Sequence, residues 1–292
     1  MPKKVFLTGC TGEIGSRLTL LLIENGYEVF GTSGSKICNI DNPRHACRKL
    51  DLLNQSGVIG FKEMQPEVLV HTAWLTKPKE FWESGQNTEW VEASKRIINE
   101  FILSGGKYLI VTGSCAEYSW NTTSPLSEDS PELPTSAYGK AKLDLLSWIR
   151  HQDLPFLWTR TFFQFGMNEP EGRLIPTLID SLHKGDEFVI RSSTDIRDFI
   201  YVEDVSKVIF MLFSEEITGV VNIGRGEEVR VDAITREVSK LIGREDLLRF
   251  EIGKYEKSYI VSDPKKLSSL IGNYPWTPLE TALKDTINAR KP

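Results

Sequence analysis

The string Thr8-Gly9-Cys10-Thr11-Gly12-Glu13-Ile14-Gly15 follows the short apolar run Val5 to Leu7 and leads into Leu18, Leu21, Leu22 and Ile23 at helical spacing. Glycines spaced in this way at a strand-to-helix junction constrain the fold more than any other feature of the chain. Gly9 permits a tight turn, Gly12 lets backbone N–H groups approach an anion, and Gly15 lets the helix pack closely on the strand. The helix N-terminus then faces that anion. In this context the spacing is a dinucleotide fingerprint, with Gly9, Thr11, Gly12, Glu13, Ile14 and Gly15 as the predicted contacts.

The alternation begun there continues. Tyr27 to Phe30, Val68 to Val70, Tyr108 to Val111 and Phe156 to Trp158 are short, rich in branched or aromatic residues and bounded by Gly, Pro or polar residues, as buried parallel strands are. Between them, Val91, Ile97, Ile98, Phe101 and Ile102 form one helical apolar face, and Leu143, Leu146 and Ile149 form another. The pattern predicts an α/β fold: a doubly wound parallel sheet (Rossmann) over residues 1–166. After Gly166 the regularity breaks at Pro170 and Pro176. Helices are predicted at Leu174 to Leu182, Val205 to Phe213, Asp232 to Ile242 and Leu279 to Ala289, with short strands at Phe188 to Ile190 and Val220 to Ile223. We expect residues 167–292 to form a smaller C-terminal α/β substrate-binding cap, with a return segment to the large domain around 197–215. The polar, Pro-rich stretch Thr122 to Thr135 is predicted to be a loop.

Composition narrows the partners. Forty acidic against 35 basic side chains give a net charge of −5, which argues against coating nucleic acid or an acidic membrane. No apolar run reaches the roughly 18 residues that span a bilayer. Met1-Pro2-Lys3-Lys4 passes straight into the first strand without the apolar core of a secretory signal, so the expected location is cytoplasmic. Cys10, Cys38, Cys47 and Cys115 form no CxxC pair and no cluster at metal-ligand spacing; reduced thiols and no metal are expected.

Cofactor choice is read at the end of the second strand, where a carboxylate would bind the adenosine ribose diol and repel a 2′-phosphate. Here the residues are Gly31-Thr32-Ser33-Gly34-Ser35-Lys36. Ser33, Ser35 and Lys36 offer hydroxyls and an ammonium instead, which favours NADPH, with NAD(H) as the alternative.

Tyr138-Gly139-Lys140-Ala141-Lys142 opens a predicted helix, so Tyr138 and Lys142 share one face. A phenol titrates near pH ~10, and a neighbouring ammonium favours its phenolate. Ser114 stands at the C-terminal end of the strand that begins at Tyr108, where an open parallel sheet places its ligands.

Glycine fingerprint, strand-end serine and YxxxK helix, in that order, resemble the short-chain dehydrogenase/reductase superfamily. The closer likeness is its extended, nucleotide-sugar-modifying branch, the NAD-dependent epimerase/dehydratase family. Further features of that branch are Leu50-Asp51-Leu52, His71-Thr72-Ala73, Arg160-Thr161-Phe162 and the string from Arg197-Asp198-Phe199 to Val205. The resemblance implies a catalytic triad of Ser114, Tyr138 and Lys142, with Asp51 and Leu52 near adenine and Thr72 and Ala73 lining the cofactor. It implies Arg197 as the partner of a substrate diphosphate, Arg173 as a second candidate, and Trp74, Cys115 and Ala116 beside the substrate. His71 is read as a packing residue. A homodimer through the helices around Val91 to Leu103 and Tyr138 to Arg150 is also implied.

The 4,6-dehydratases of the branch follow the strand-end hydroxyl with an Asp-Glu pair. Here Cys115 and Ala116 stand there, and Glu117 comes one place later, where a side chain points elsewhere. The leading expectation is therefore NADPH-dependent reduction of a nucleotide-linked 4-keto-6-deoxy sugar. The alternative is a sugar-nucleotide epimerase with retained NAD; a non-catalytic NADPH-binding sensor or scaffold is the reading from another class.

Overall fold

The computed structural model describes residues 3–34, 38, 40–54, 60–75, 77, 80–191, 193–251 and 258–290. Strands β1 (Lys4–Thr8), β2 (Glu28–Ser33), β3 (His45–Lys49), β4 (Val68–His71), β5 (Tyr108–Ser114) and β6 (Phe156–Thr161) alternate with helices α1 (Glu13–Glu24), α2 (Phe61–Met64), α3 (Gln86–Leu103) and α4 (Ala137–Ile149). All the pairings among these strands are parallel.

Period-two alternation assigns each strand residue to one of two cores. Val5, Leu7, Val68, Val70 and Ile110 face the core on the α1 side. Phe6, Leu69, Leu109 and Val111 face the core on the α3 and α4 side. Helix α1 begins at Gly12, presents Leu18, Leu22 and Ile23 inward, and is followed by Gly26 at φ +87°.

The second half continues with β7 (Phe163–Phe165), α5 (Leu174–Lys184), β8 (Phe188–Ile190), β9 (Ile196–Arg197), β10 (Phe199–Tyr201), α6 (Val202–Ser214) and β11 (Gly219–Ile223). It then runs through β12 (Val229–Arg230), α7 (Val231–Ile242), β13 (Leu248–Phe250), β14 (Tyr259–Ile260), α8 (Lys265–Ile271) and α9 (Leu279–Ala289). Helix α6 packs on α1, on the face of the sheet opposite α3 and α4. Strand β11 pairs in parallel with β6 and completes a seven-stranded sheet of order β11-β6-β5-β4-β1-β2-β3. This corrects the placement of Val220 to Ile223 in the cap: Val221 and Ile223 are wholly buried in the same core as β1. Helices α5, α7 and α9 surround a separate core with Phe165, Phe199 and Tyr201.

The order reverses between β1 and β4, so the connections after these two strands leave in opposite directions and open a crevice at the carboxyl edge of the sheet. No helix among the described residues is long and apolar enough to cross a membrane.

Candidate active site

The glycine turn is built as its spacing requires. Gly9 sits at φ +73°, and the Gly9 and Cys10 N–H groups both donate to the Thr32 carbonyl at 2.8 and 3.0 Å. A Cβ on Gly15 would stand 2.1 Å from the Gly9 oxygen, and one on Gly12 would stand 3.2 Å from it. Thr72 Oγ1 donates to the Thr8 carbonyl at 2.7 Å, and Ala73 N–H donates to Thr8 Oγ1 at 3.3 Å, which holds the end of β4 against the turn. Thr11 Oγ1 and Ser33 Oγ lie 2.7 Å apart. A turn packed too closely for a side chain at Gly9 or Gly15, which brings the start of a 12-residue helix, Gly12 to Gly15, to the cavity, fits a dinucleotide pyrophosphate.

A cavity of about 640 Å³ opens beside this turn. Gly12, Glu13, Ile14, Gly15 and Thr72 form one wall; Ser114, Cys115, Tyr138 and Lys142 form another; Arg173 and Arg197 reach it from the second half of the chain. The structure thus brings together the Ser, Tyr and Lys positions read from the sequence. Ser136 caps α4 through Gly139 N–H at 3.0 Å, and the Tyr138 N–H donates to the Trp82 carbonyl at 3.0 Å. A Cβ on Gly139 would lie 2.1 Å from the Ala116 oxygen, so glycine lets α4 seat against the turn after β5.

Lys142 is 2% exposed, donates to the Thr112 carbonyl at 2.9 Å and stands 3.7 Å above the Trp74 ring. Burial holds its ammonium down at about 7, against the pull of the Glu117 carboxylate. Burial pushes the Tyr138 phenol up to about 12, and a hydrogen bond with the Ser114 hydroxyl opposes that rise. The Tyr138 ring is boxed by Phe81 and Trp82 at centroid distances of 5.0 and 5.6 Å.

Trp74 lines the cavity but is buried under Lys142, its indole N–H given to Asn87 Oδ1 at 3.0 Å. Ala116 is buried behind the wall, its N–H on Ser114 Oγ at 3.2 Å. Asp51 follows the edge strand β3, is exposed outside the cavity lining and accepts from Leu53 N–H at 3.1 Å; Leu52 beside it is buried. Ser35 and Lys36 lie outside the described residues. His71 is buried between Thr8 Oγ1 and Ser94 Oγ, both at 2.8 Å, as a packing residue would be.

Arg197 is anchored from behind: its guanidinium donates to Asp195 Oδ2 at 2.7 Å and Ser258 Oγ at 2.6 Å, with its flat face 5.0 Å from Phe163. Arg173 precedes α5 and stacks 4.6 Å above Phe81. Glu117 turns away from the cavity. Wholly buried, it accepts from Ser114 N–H at 2.7 Å, Arg160 Nε at 2.6 Å and the Trp158 indole. Asp198 is equally buried and accepts from the Arg225 and Gly226 N–H groups and from Ser262, so it fixes the loop after β11.

Sequence reading missed the aromatic wall of Phe81, Trp82, Trp120 and Phe163, whose residues come from separate segments. It also missed Glu169. This side chain is 8% exposed and lines the cavity with Glu13; Oε2 of Glu169 and Oε1 of Glu13 lack hydrogen-bond partners among the described residues. Burial, with Glu13 nearby, pushes Glu169 up to about 8. Each carboxyl can hydrogen-bond a polar group of a bound molecule, Glu169 as donor or acceptor according to its protonation. An isolated glutamate in a loop carries no sequence signal for this.

The family model described as NAD dependent epimerase/dehydratase family matches residues 5–224. The chain belongs to that family. It is accordingly an enzyme of the oxidoreductase type. Among its relatives, a UDP-glucose 4-epimerase of Corynebacterium glutamicum is 22% identical over 97% of this chain and 93% of its own. A GDP-6-deoxy-D-talose 4-dehydrogenase of Aggregatibacter actinomycetemcomitans is 26% identical over 98% of both chains. Among solved structures, the Bordetella bronchiseptica enzyme WbmH in complex with NAD+ superposes with a TM-score of 0.85 at 20% identity, covering 99% of this chain and 98% of that one. The family fold is the doubly wound sheet described above.

Proposed function

We propose that this chain is a sugar-nucleotide 4-epimerase that works through a transient 4-keto sugar, with Ser114, Tyr138 and Lys142 as its catalytic residues. The observation that carries the reading is the meeting, in one cavity, of the glycine cradle and the Ser114, Tyr138 and Lys142 wall. The 4-epimerase among the relatives supports the same reaction class.

Bound NAD would accept a hydride from C4 of the sugar and return it to the opposite face of the keto carbon after the keto sugar has turned over in the cavity. Tyr138 takes the C4 hydroxyl proton as that hydride leaves and gives it back when the hydride returns, so the proton count closes. Ser114 holds the oxygen at which charge changes, and Lys142, when charged, lowers the cost of the phenolate. Gly12 to Gly15 would hold the pyrophosphate. Arg197, held in place by Asp195 and Ser258, would face the sugar-nucleotide diphosphate with Arg173. Dehydration is disfavoured because Glu117, the carboxylate nearest Ser114 in sequence, is committed to Arg160 at 2.6 Å in the interior.

A second reading keeps the same residues and replaces the internal return of hydride by net reduction of a nucleotide-linked 4-keto-6-deoxy sugar with NADPH. It is favoured by the end of β2, where no carboxylate follows and Thr32 and Ser33 lie in register with Arg48 and Lys49 of β3. Two measurements separate the readings. Epimerisation predicts interconversion of UDP-glucose and UDP-galactose, or another 4-epimeric pair, without added reductant and with NAD released on denaturing the purified protein. Loss of NADPH absorbance with a 4-keto-6-deoxy sugar nucleotide, with no epimerisation, would replace it by the second. The homodimer through α3 and α4 belongs to the same proposal, and sedimentation equilibrium tests it.

A further inference from the structure

Three cysteines far apart in sequence converge under the glycine turn. Register in the sheet places Cys47 of β3 opposite Gly31 of β2. Gly31 in turn underlies Cys10, since a Cβ there would stand 2.8 Å from Cys10 Cβ and Sγ. With that space open, Cys10 Sγ and Cys47 Sγ come within 3.5 Å. The Cys38 N–H donates to Cys47 Sγ at 3.1 Å and fixes that sulfur. Cys10 is buried, whereas Cys38 and Cys47 are partly exposed. His45 Nε2 stands 3.5 Å from the same Gly31 position, and burial holds its imidazole below the usual histidine range, so it is a neutral base within the cluster.

We propose that Cys10 and Cys47 are a thiol–disulfide site that reacts with low-molecular-weight disulfides, and that closing it weakens dinucleotide binding by the turn above. The second half rests on the dinucleotide reading; the first does not.

The chemistry balances as two exchanges. The Cys47 thiolate attacks one sulfur of the reagent RSSR; the reagent S–S bond breaks, one RSH leaves, and Cys47 carries a mixed disulfide. Cys10, giving up its proton, attacks the Cys47 sulfur and expels the second RSH. Two protein thiols are oxidised and one reagent disulfide is reduced to two thiols. Burial pushes the Cys10 thiol up, so it does not start the exchange; it attacks second, because it lies 3.5 Å from the Cys47 sulfur once Cys47 has been engaged from solvent.

Geometry couples the site to the turn. A disulfide needs about 2.05 Å between sulfurs, so the pair must draw together by roughly 1.5 Å from 3.5 Å. The turn has little slack to follow: Gly9 and Cys10 N–H groups are both tied to Thr32, and a Gly9 Cβ would already be 2.9 Å from Thr72 Oγ1. Whatever part of that movement Cys10 takes up passes through the Gly12 N–H bond to the Gly9 carbonyl into the helix start at Gly12 to Ile14.

The test treats the full-length protein with oxidised glutathione, maps its non-reduced peptides by mass spectrometry, and titrates NAD calorimetrically before treatment, after it, and after dithiothreitol. We expect a Cys10–Cys47 cross-linked peptide and an NAD affinity reduced on the order of tenfold and restored by reductant. Cys38→Ser should keep the cross-link; Cys47→Ser should lose both the cross-link and the affinity change. Glutathione adducts without a cross-link, or a Cys38–Cys47 pair, would overturn the site. A Cys10–Cys47 cross-link with unchanged NAD affinity would overturn the coupling. If the reduced protein binds neither NAD nor NADPH, the dinucleotide reading falls, and the peptide map still decides the disulfide.

Discussion

The ammonium of Lys142, in the cavity wall, lies 3.7 Å above the ring of Trp74 and donates to the Thr112 carbonyl at 2.9 Å. A cation so placed is held for its charge, because burial disfavours it: the group is depressed from 10.5 to about 7. Lys142→Met keeps the packing on Trp74 and removes the charge. Turnover should fall about a hundredfold or more, while thermal stability stays level or rises. For a base whose folded pKa is lowered, the cost of burying charge is fully present below the folded value and disappears above the unfolded one. The Tm advantage of Lys142→Met should therefore be largest below about pH 7 and shrink as pH rises toward 10.5. Thermal melts across that range check it; an advantage that grows with pH would contradict the assignment.

Tyr138→Phe removes one oxygen and leaves the ring among Phe81, Trp82 and Trp74. Proton transfer is lost while the cradle at Gly9 to Gly15 is untouched. We expect kcat to drop by about two to four orders of magnitude, with NAD affinity within a few-fold of wild type. Stopped-assay kinetics and calorimetry measure the two separately, and retained turnover would remove Tyr138 from the mechanism.

What the chain discloses in one dimension is what depends on local spacing. The glycine turn, the four-residue step from Tyr138 to Lys142 and the strand-end position of Ser114 are all of this kind, and the structure brings them to one cavity. Strand β3 is harder to read because it is an edge strand: His45, Arg48 and Lys49 break the apolar pattern that marks buried strands. Val220 to Ile223 reads as a strand, but its partner β6 lies some sixty residues earlier, and no local signal states which sheet it joins. The same distance hides the cysteine cluster and the aromatic wall. Glu117 illustrates the converse: its offset by one residue from the expected acid position is visible in sequence, and the structure supplies the reason in Arg160 and Trp158.

Glu117 and Arg160 are both wholly buried and joined at 2.6 Å. Removing the carboxylate leaves a guanidinium in the interior with Glu132 as its remaining ionic partner, and frees the Ser114 N–H. Glu117→Ala should destabilise the protein by about 3–5 kcal/mol. Glu117→Gln, which keeps an acceptor for Ser114 N–H, should cost less. Urea unfolding of the two variants distinguishes them, and equal stability of Glu117→Ala and wild type would mean that the ion pair does not form.

Arg197 differs from these in that its own partners, Asp195 and Ser258, are on the protein and its exposed side faces the cavity. Its terminal nitrogens are all given to the protein, Nη1 to the Ile196 and Ser258 carbonyls and Nη2 to Asp195 and Ser258 Oγ, so the guanidinium meets a diphosphate through Nε–H and a charge fixed in place, an anchoring that a lysine ammonium cannot reproduce. Charge-assisted hydrogen bonds of this type contribute about 1.5–3 kcal/mol, or roughly ten- to a hundredfold in affinity. Arg197→Lys should therefore raise KM for the sugar nucleotide by at least about tenfold, with kcat changed only a few-fold, because the diphosphate is bound alike in ground and transition states. NAD affinity should not move. A drop confined to kcat would place Arg197 at the reacting sugar, away from the diphosphate.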